Sequence, residues 1–460
     1  MQNRILMKRL ILSALALASV SSYAQNLIEV TLKDSTVKTF QTSSIEHVRF
    51  TQGDSFSITD DEGNVTSFEG NVASIRFSKH HAIDGTSVHT IAHSIGLGWN
   101  LGNSLDAHNN GNASETAWGN KESTLNTFMG VKNAGFTAVR IPVTWLGHIG
   151  AAPDYKIDDN YMNHVAKVVG YAKEAGLKVI INIHHDGANS QYWLDVLSAS
   201  KDENKNTQIK EQLAAMWKQI ATKFKREGDY LIFEGMNEIH DGGWGWGENL
   251  KDGGAQYRVM NEWLQTFVDA VRSVGGENTY RYLGCPGYDT NVDHTINEIK
   301  VPNDVVENKL LVAVHFYDPY TYTLNNEKDE WGHTGVNKEN WGNEDNVTDI
   351  FSRLKTRFMD QGIPVYLGEF GNVHRATERA ESFRKYYLEY VCKAASDYDL
   401  PLFFWDNGGT GTGAEQSGLI NHGTGEYINN GKEVIDVMVK GFFTEDSNYT
   451  LQSVYDNAPR

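Results

Sequence analysis

The chain runs to 460 residues with 40% hydrophobic content, enough apolar mass to fill one large core and a small companion, which excludes a disordered protein. A formal net charge of −18 denies it the basic face that phosphate binding needs, so nucleic acid is excluded as a partner and an uncharged ligand suits the surface better. Cys285 and Cys392 are the only cysteines, which excludes a disulfide scaffold. Two buried thiols fit their strand-like and helix-like settings better than a bridge.

Residues 1–24 read as a secretory signal peptide. Arg4, Lys8 and Arg9 precede the apolar run Leu10 to Val20, and Ser22-Tyr23-Ala24 forms a small-residue cleavage site. That run is shorter than the ~18 residues that cross a bilayer. No membrane span is expected in the mature form, and the location expected is periplasmic or extracellular. Residues 25–80 carry a weak internal repeat in which DSTVKTFQTSSIEHVRF (34–50) is echoed by EGNVTSFEGNVASIRF (62–77). Short strands with one buried face follow, and a small all-β module is predicted with Phe40, Phe50, Phe68 and Phe77 in its core. No function can be read from it.

Over residues 86–445 the pattern changes to apolar strand-like runs alternating with amphipathic helical ones. The strand candidates are IGLGWNLG, FTAVRIPV, KVIINIH, YLIFEGM, YRYLGC, LLVAVHF, IPVYLGE and PLFFWD. Between them, residues such as Ile209, Leu213, Trp217, Ile220 and Phe224 recur at intervals of three or four and share one helix face. Eight such units predict an α/β fold, a (β/α)8 TIM barrel. A doubly wound open sheet would usually bring a Gly-rich phosphate loop after its first strand, and WNLGN does not fit one.

Strands buried along their length open at their C-terminal ends onto one face of such a barrel. The polar and aromatic residues at those ends are Trp99, Asn103, Arg140, His184, His185, Asn237, Glu238, His315, Tyr317, Glu369 and Trp405. An isolated strand-end glutamate is more often a salt-bridge partner or a cap. Two of them in one pocket, Glu238 and Glu369, are what glycosidic cleavage needs: one protonates the leaving oxygen and the other attacks the anomeric carbon. That chemistry calls for no cofactor. His184-His185-Asp186 invites a metal reading, but adjacent strand residues point to opposite faces, so the two imidazoles are not expected to share an ion and no metal is expected. Trp244 and Trp246, between glycines at 241–249, suit either a polysaccharide platform or packing onto the barrel, and both readings stand. Trp118, Trp193 and Trp331 are further candidates for subsite walls.

Seven motifs, in order, carry a family resemblance: GWNLGN (98–103), VRIPVTW (139–145), VIINIHHD (179–186), FEGMNE (233–238), HFY (315–317), LGEFG (367–371) and FFWDNG (403–408). Through them the stretch from about residue 90 to 440 resembles glycoside hydrolase family 5, and GWNLGNSLDA and AWGN resemble its branch of bacterial endo-β-1,4-glucanases and xyloglucanases. The resemblance implies a retaining enzyme acting on β-glucan, with Glu238 as general acid/base and Glu369 as nucleophile. Asn237 is then placed to meet the sugar 2-hydroxyl, Arg140 and Tyr317 to hold Glu369 as the carboxylate, and His315 to set the protonation of Glu238. His184, His185 and Asn103 would bind sugar, and Trp405 would lie flat beneath the ring. A xyloglucanase or mixed-linkage glucanase would use the same machinery. A non-catalytic sugar-binding barrel is disfavoured by the presence of both carboxyls.

Overall fold

The computed structural model describes residues 27–34, 37–41, 45–50, 55–60, 62–78 and 87–460; the expected signal peptide lies outside the described residues. These fall into two units, with the first built from residues before 83 and the second holding most of the remainder.

The first unit has six strands: β1 (Leu27–Leu32), β2 (Val37–Gln41), β3 (Ile45–Phe50), β4 (Ser55–Asp60), β5 (Val65–Glu69) and β6 (Val72–Ser78). They form two antiparallel sheets ordered β2-β1-β6 and β3-β4-β5. Ile28, Val30 and Leu32 alternate into a core with Phe56, Ile58 and Phe68, and Phe40 packs against it. The side chains of Phe50 and Phe77 lie outside the described ones. The repeat is longer than the sequence comparison alone suggested, because each copy has a leading strand, β1 or β4. The third strand of each copy crosses over to pair with the leading strand of the other, β6 with β1 and β3 with β4.

The second unit is the barrel. Its strands are β7 (Leu97–Leu101), β10 (Ala138–Ile141), β11 (Lys178–Ile181), β12 (Leu231–Glu234), β13 (Leu283–Pro286), β14 (Leu310–Phe316), β15 (Val365–Phe370) and β16 (Leu402–Asp406), with β8 (His108–Asn109) and β9 (Asn112–Ala113) forming a small hairpin. The eight are parallel neighbours in chain order, and β16 closes onto β7. A helix follows each, from Leu125–Asn133 after β7 to Gly431–Phe443 after β16. All eight sequence candidates are barrel strands, although β10, β11 and β12 stop short of the runs read from sequence.

Side-chain alternation accounts for the interior. Val139, Val179, Leu231, Val312, Val365 and Phe404 point outward into the main core beneath the helices. Ala138, Ile180, Ile232, Ala313, Tyr366 and Phe403 point inward and form an apolar layer sealed from below by Ile91 and Ile95 of the helix Val88–Ile95. Two residues further along each strand the period of two brings the next inward set, and here it turns polar: Asn100, Arg140, Asn182, Glu234 and His315 are all buried. This polar layer is the floor of the site. Cys285 and Cys392 are both buried free thiols, as their settings suggested, and burial pushes the Cys285 thiol up to about 12. Among the described residues no helix is long and apolar enough to cross a membrane.

Candidate active site

Arg140 is the centre of the polar floor. Its Nε and Nη2 donate to Glu234 at 3.1 and 2.7 Å, Nη1 donates to Glu369 Oε1 at 2.7 Å, and Nη2 also donates to Asn237 Oδ1 at 2.7 Å. Glu234 accepts further bonds from Tyr366 Oη at 2.6 Å and Asn182 Nδ2 at 2.9 Å. Burial pushes the Glu234 carboxyl up, but the charge and hydrogen bonds of Arg140 and the Tyr366 hydroxyl outweigh it and hold the group below the usual carboxylate range. The expected contact of Arg140 with Glu369 is present. Arg140 is also shared with a second buried carboxylate, Glu234, which sequence reasoning passed over and which takes the larger share of its donors.

Glu369 reaches the pocket through a register fault. On β15 simple alternation turns Tyr366 and Gly368 inward, so residue 369 would face outward. Pairing with β14 shifts between Val314 and His315, which sets Glu369 beside His315, and Phe370 then turns out into the main core. A bulge of this kind re-aims one side chain without breaking the sheet. Gly368 at the fault has no room for more: an added Cβ would lie 3.0 Å from His315 Nε2. Tyr317 Oη donates to Glu369 Oε2 at 3.0 Å.

Glu238 sits four residues beyond the end of β12, with His315 Nδ1 at 2.6 Å from its Oε1 and 3.6 Å from Glu369 Oε2. One donor atom from each of Glu238, His315 and Glu369 lies within 4.8 Å of the others. In the pocket burial drives Glu369 upward more than His315 and Arg140 pull it down. At Glu238 burial also pushes up, but attraction to His315 overcomes it and the net shift is downward. The charge of Glu238 also opposes ionisation of Glu369, so the two titrate as a pair, and the upward shift of Glu369 runs against the expectation that Arg140 and Tyr317 hold it as the carboxylate. Burial holds His184 well below the ordinary imidazole range, with His185 and Arg140 adding to the effect, so its ring is neutral near pH 7.

The remaining sequence candidates divide. Trp405 is half-buried, and its ring runs parallel to that of His184 at 5° with centroids 6.0 Å apart. Gly102 permits that placement, since a Cβ there would meet the Trp405 ring at 2.9 Å. Asn103 lies at the rim with φ 53°, its N–H donating to Asp106 Oδ2. His185 is half-buried against His184, ring centroids 4.4 Å apart, and against the exposed Trp118 at 5.5 Å. The two imidazoles do not diverge as strand alternation predicts. β11 ends at Ile181, both lie in the turn beyond it, and donor atoms of His184, His185 and Asp106 come within 4.8 Å of one another.

Trp99 faces outward, fully buried, and donates to Asp406 Oδ2 at 2.8 Å. Trp331 is a core residue among Tyr386, Tyr387 and Tyr390 rather than a subsite wall. Trp193 is tied to Asp186 by a 2.7 Å bond. In the loop after Glu238, Trp244 and Trp246 are 56% and 70% exposed, with ring contacts to His240 at 4.3 Å and His294 at 5.9 Å. Asp241 braces that loop by accepting from Gly243 N, Asn249 N and Gln256 Nε2.

A family model described as cellulase (glycosyl hydrolase family 5) matches residues 103–411. Endoglucanase A of Paenibacillus barcinonensis is 36% identical over 336 residues, covering 69% of this chain and 82% of that protein. Among solved structures, a broad specificity endoglucanase from Bacteroides salanitronis is 61% identical with a TM-score of 0.79, covering 80% of this chain and 98% of that one. A family 5 xyloglucanase from Paenibacillus pabuli is 37% identical with a TM-score of 0.71, covering 76% and 99%.

Proposed function

The chain belongs to the cellulase family, glycosyl hydrolase family 5, and is thus a glycoside hydrolase; from that premise we propose that it is a secreted, retaining endo-β-1,4-glucanase. The observation that carries the reading is the convergence of Glu238 and Glu369 on His315, with donor atoms of all three within 4.8 Å. Carboxyls roughly 5 Å apart suit direct attack on the sugar, whereas an inverting enzyme keeps them about 6.5–9.5 Å apart to admit a water.

In the first step Glu369 attacks the anomeric carbon while Glu238 gives its proton to the departing glycosidic oxygen, forming a glycosyl–Glu369 ester and releasing the chain on the acceptor side. In the second, Glu238 removes a proton from water, whose oxygen displaces Glu369 and restores the β-configuration. Arg140 and Tyr317 hold the Glu369 carboxylate in place for both steps. Asn237 has its carbonyl oxygen taken by Arg140, which leaves its amide NH2 for the sugar 2-hydroxyl, a bond that strengthens as charge grows on the ring. The neutral His184 and the parallel face of Trp405 receive the same sugar.

A second reading is breadth of substrate, favoured by the 61% identity to a protein described as a broad specificity endoglucanase. On this reading xyloglucan and mixed-linkage glucan are cut by the same pair of carboxyls. One experiment separates the readings: purified chain is offered carboxymethylcellulose, mixed-linkage β-glucan, xyloglucan, glucomannan and xylan, with reducing ends and viscosity followed together. A fast viscosity drop per bond broken on carboxymethylcellulose supports the endo-glucanase. Comparable rates on xyloglucan support breadth, and no release of reducing ends from any of the five overturns both.

A further inference from the structure

A second group of potential ligands lies at the opposite end of the barrel. His89 and His93 stand one turn apart on the helix Val88–Ile95, so they share a face. Asp399 lies in the turn between the helix Glu378–Asp397 and β16. His89 Nδ1 is 2.5 Å and His93 Nε2 3.4 Å from the same atom, Asp399 Oδ1, and the rings lie 4.3 Å apart. All three donor atoms lie within 4.8 Å of one another.

We propose that His89, His93 and Asp399 form a surface site for a divalent transition ion of the zinc class, which ties the helix beneath the barrel to the turn before its last strand. Two imidazoles and a carboxylate are a donor set that such ions favour, and a fourth, solvent-facing position is open: side-chain exposures are 64%, 40% and 24%. Donors around a tetrahedral zinc lie at about 2.0–2.2 Å from the ion, hence about 3.3 Å from one another, within the span already present. Small side-chain rotations suffice. The frame is rigid: Ser87 caps the helix through a capping box, Ile91 and Ile95 are locked into the inner apolar layer, and Asp399 is held at φ 57°. A hydrogen bond from His89 explains one short contact, but not why His93 also turns a ring nitrogen to the same oxygen. The nearby cation Lys355 is paired with Asp360 at 2.7 Å.

The test titrates Zn2+ into the full chain by calorimetry, with Co2+ absorption reporting coordination, in wild type and in His89→Gln, His93→Gln and Asp399→Asn, each checked for folding by circular dichroism. One equivalent of Zn2+ should bind, and affinity should fall at least about tenfold in each variant, with hydrolysis of β-glucan unchanged. Zn2+ should raise the melting temperature of wild type but not of His93→Gln. The proposal is overturned if wild type binds no Zn2+ or if His93→Gln binds it equally well. It is also overturned if cellotetraose displaces the ion, which would assign it to Asp106, His184 and His185 in the pocket.

Discussion

Arg140 faces Glu234 with Nε and Nη2 and spares Nη1 for Glu369, so one guanidinium holds two carboxylates that are both buried. The division matters because a cation fully committed to Glu369 would stabilise its charge and blunt its attack. On the proposed mechanism Glu234 acts through Arg140 as a positioning residue.

In Glu234→Gln the undivided field of Arg140 should fall on Glu369, lowering its pKa and moving the acidic limb of the pH–rate profile downward. Turnover should drop about a hundredfold, equivalent to ~2.7 kcal/mol of barrier, and breaking a buried pair should cost about 3–5 kcal/mol of stability. Profiles of kcat and kcat/KM check this. An acidic limb that stays put would reduce Glu234 to a packing role.

The roles of the two carboxyls separate by product stereochemistry. Wild type should release β-anomers first, followed by NMR. In Glu369→Ala, added azide should attack an activated β-glycoside from the opposite face and give an α-azide. In Glu238→Ala the glycosyl–enzyme still forms from a substrate with a good leaving group, and azide should resolve it to a β-azide. Swapped azide products would exchange the two assignments.

Gly368→Ala places a Cβ 3.0 Å from His315 Nε2 and 3.5 Å from Glu234 Oε2. His315 must yield, which disturbs its 2.6 Å contact with Glu238. Turnover should fall at least about tenfold, ~1.4 kcal/mol, while KM and the melting temperature change little. Kinetics alongside thermal melts decide it, and a variant with wild-type kcat would show that His315 has slack.

Burial holds the Asp186 carboxyl up to about 6 in the folded chain, against 3.8 ordinarily. A raised carboxyl contributes stability that is fully present below its unfolded pKa and lost as pH rises toward the folded one. The window is therefore about pH 4 to 6, and about 3 kcal/mol is given up across it. Asp186→Asn lacks this loss, so its melting temperature relative to wild type should climb between pH 4.5 and 7. A difference that is flat with pH would place the ionised form comfortably in the native protein.

Much of this architecture is written locally. Eight apolar runs at helix-length intervals specify the barrel, and Arg140, Asn237 and Glu238 stand at or just beyond strand ends, where sequence reading expects them. Glu234 and Asn182 were equally legible by the period of two, as the polar successors to Ile232 and Ile180 on the inward face. They stand inside the apolar runs KVIINIH and YLIFEGM, away from the ends where a barrel site is expected. The bulge that turns Glu369 inward is not legible, since it depends on how β15 registers against a strand some fifty residues earlier. The approach of His184 to His185 is hidden for a related reason: only the folded chain shows that β11 stops at Ile181, after which strand alternation no longer applies. The interlocked sheets of the first unit are likewise a matter of which strand finds which partner.

The seam between β16 and β7 gives the finished chain a timing rule. Trp99 and Asp406 bridge it, and Asn100 on the floor donates to the carbonyl oxygens of Phe403 and Gly368 across 303 and 268 residues. A nascent chain that has reached residue 401 already carries both carboxyls, yet it lacks the Trp405 face and one wall of the ring that holds Arg140 dry. Catalytic competence should therefore wait for the eighth strand. A chain stalled or clipped before that point should be silent toward polysaccharide, however much of its length has been made.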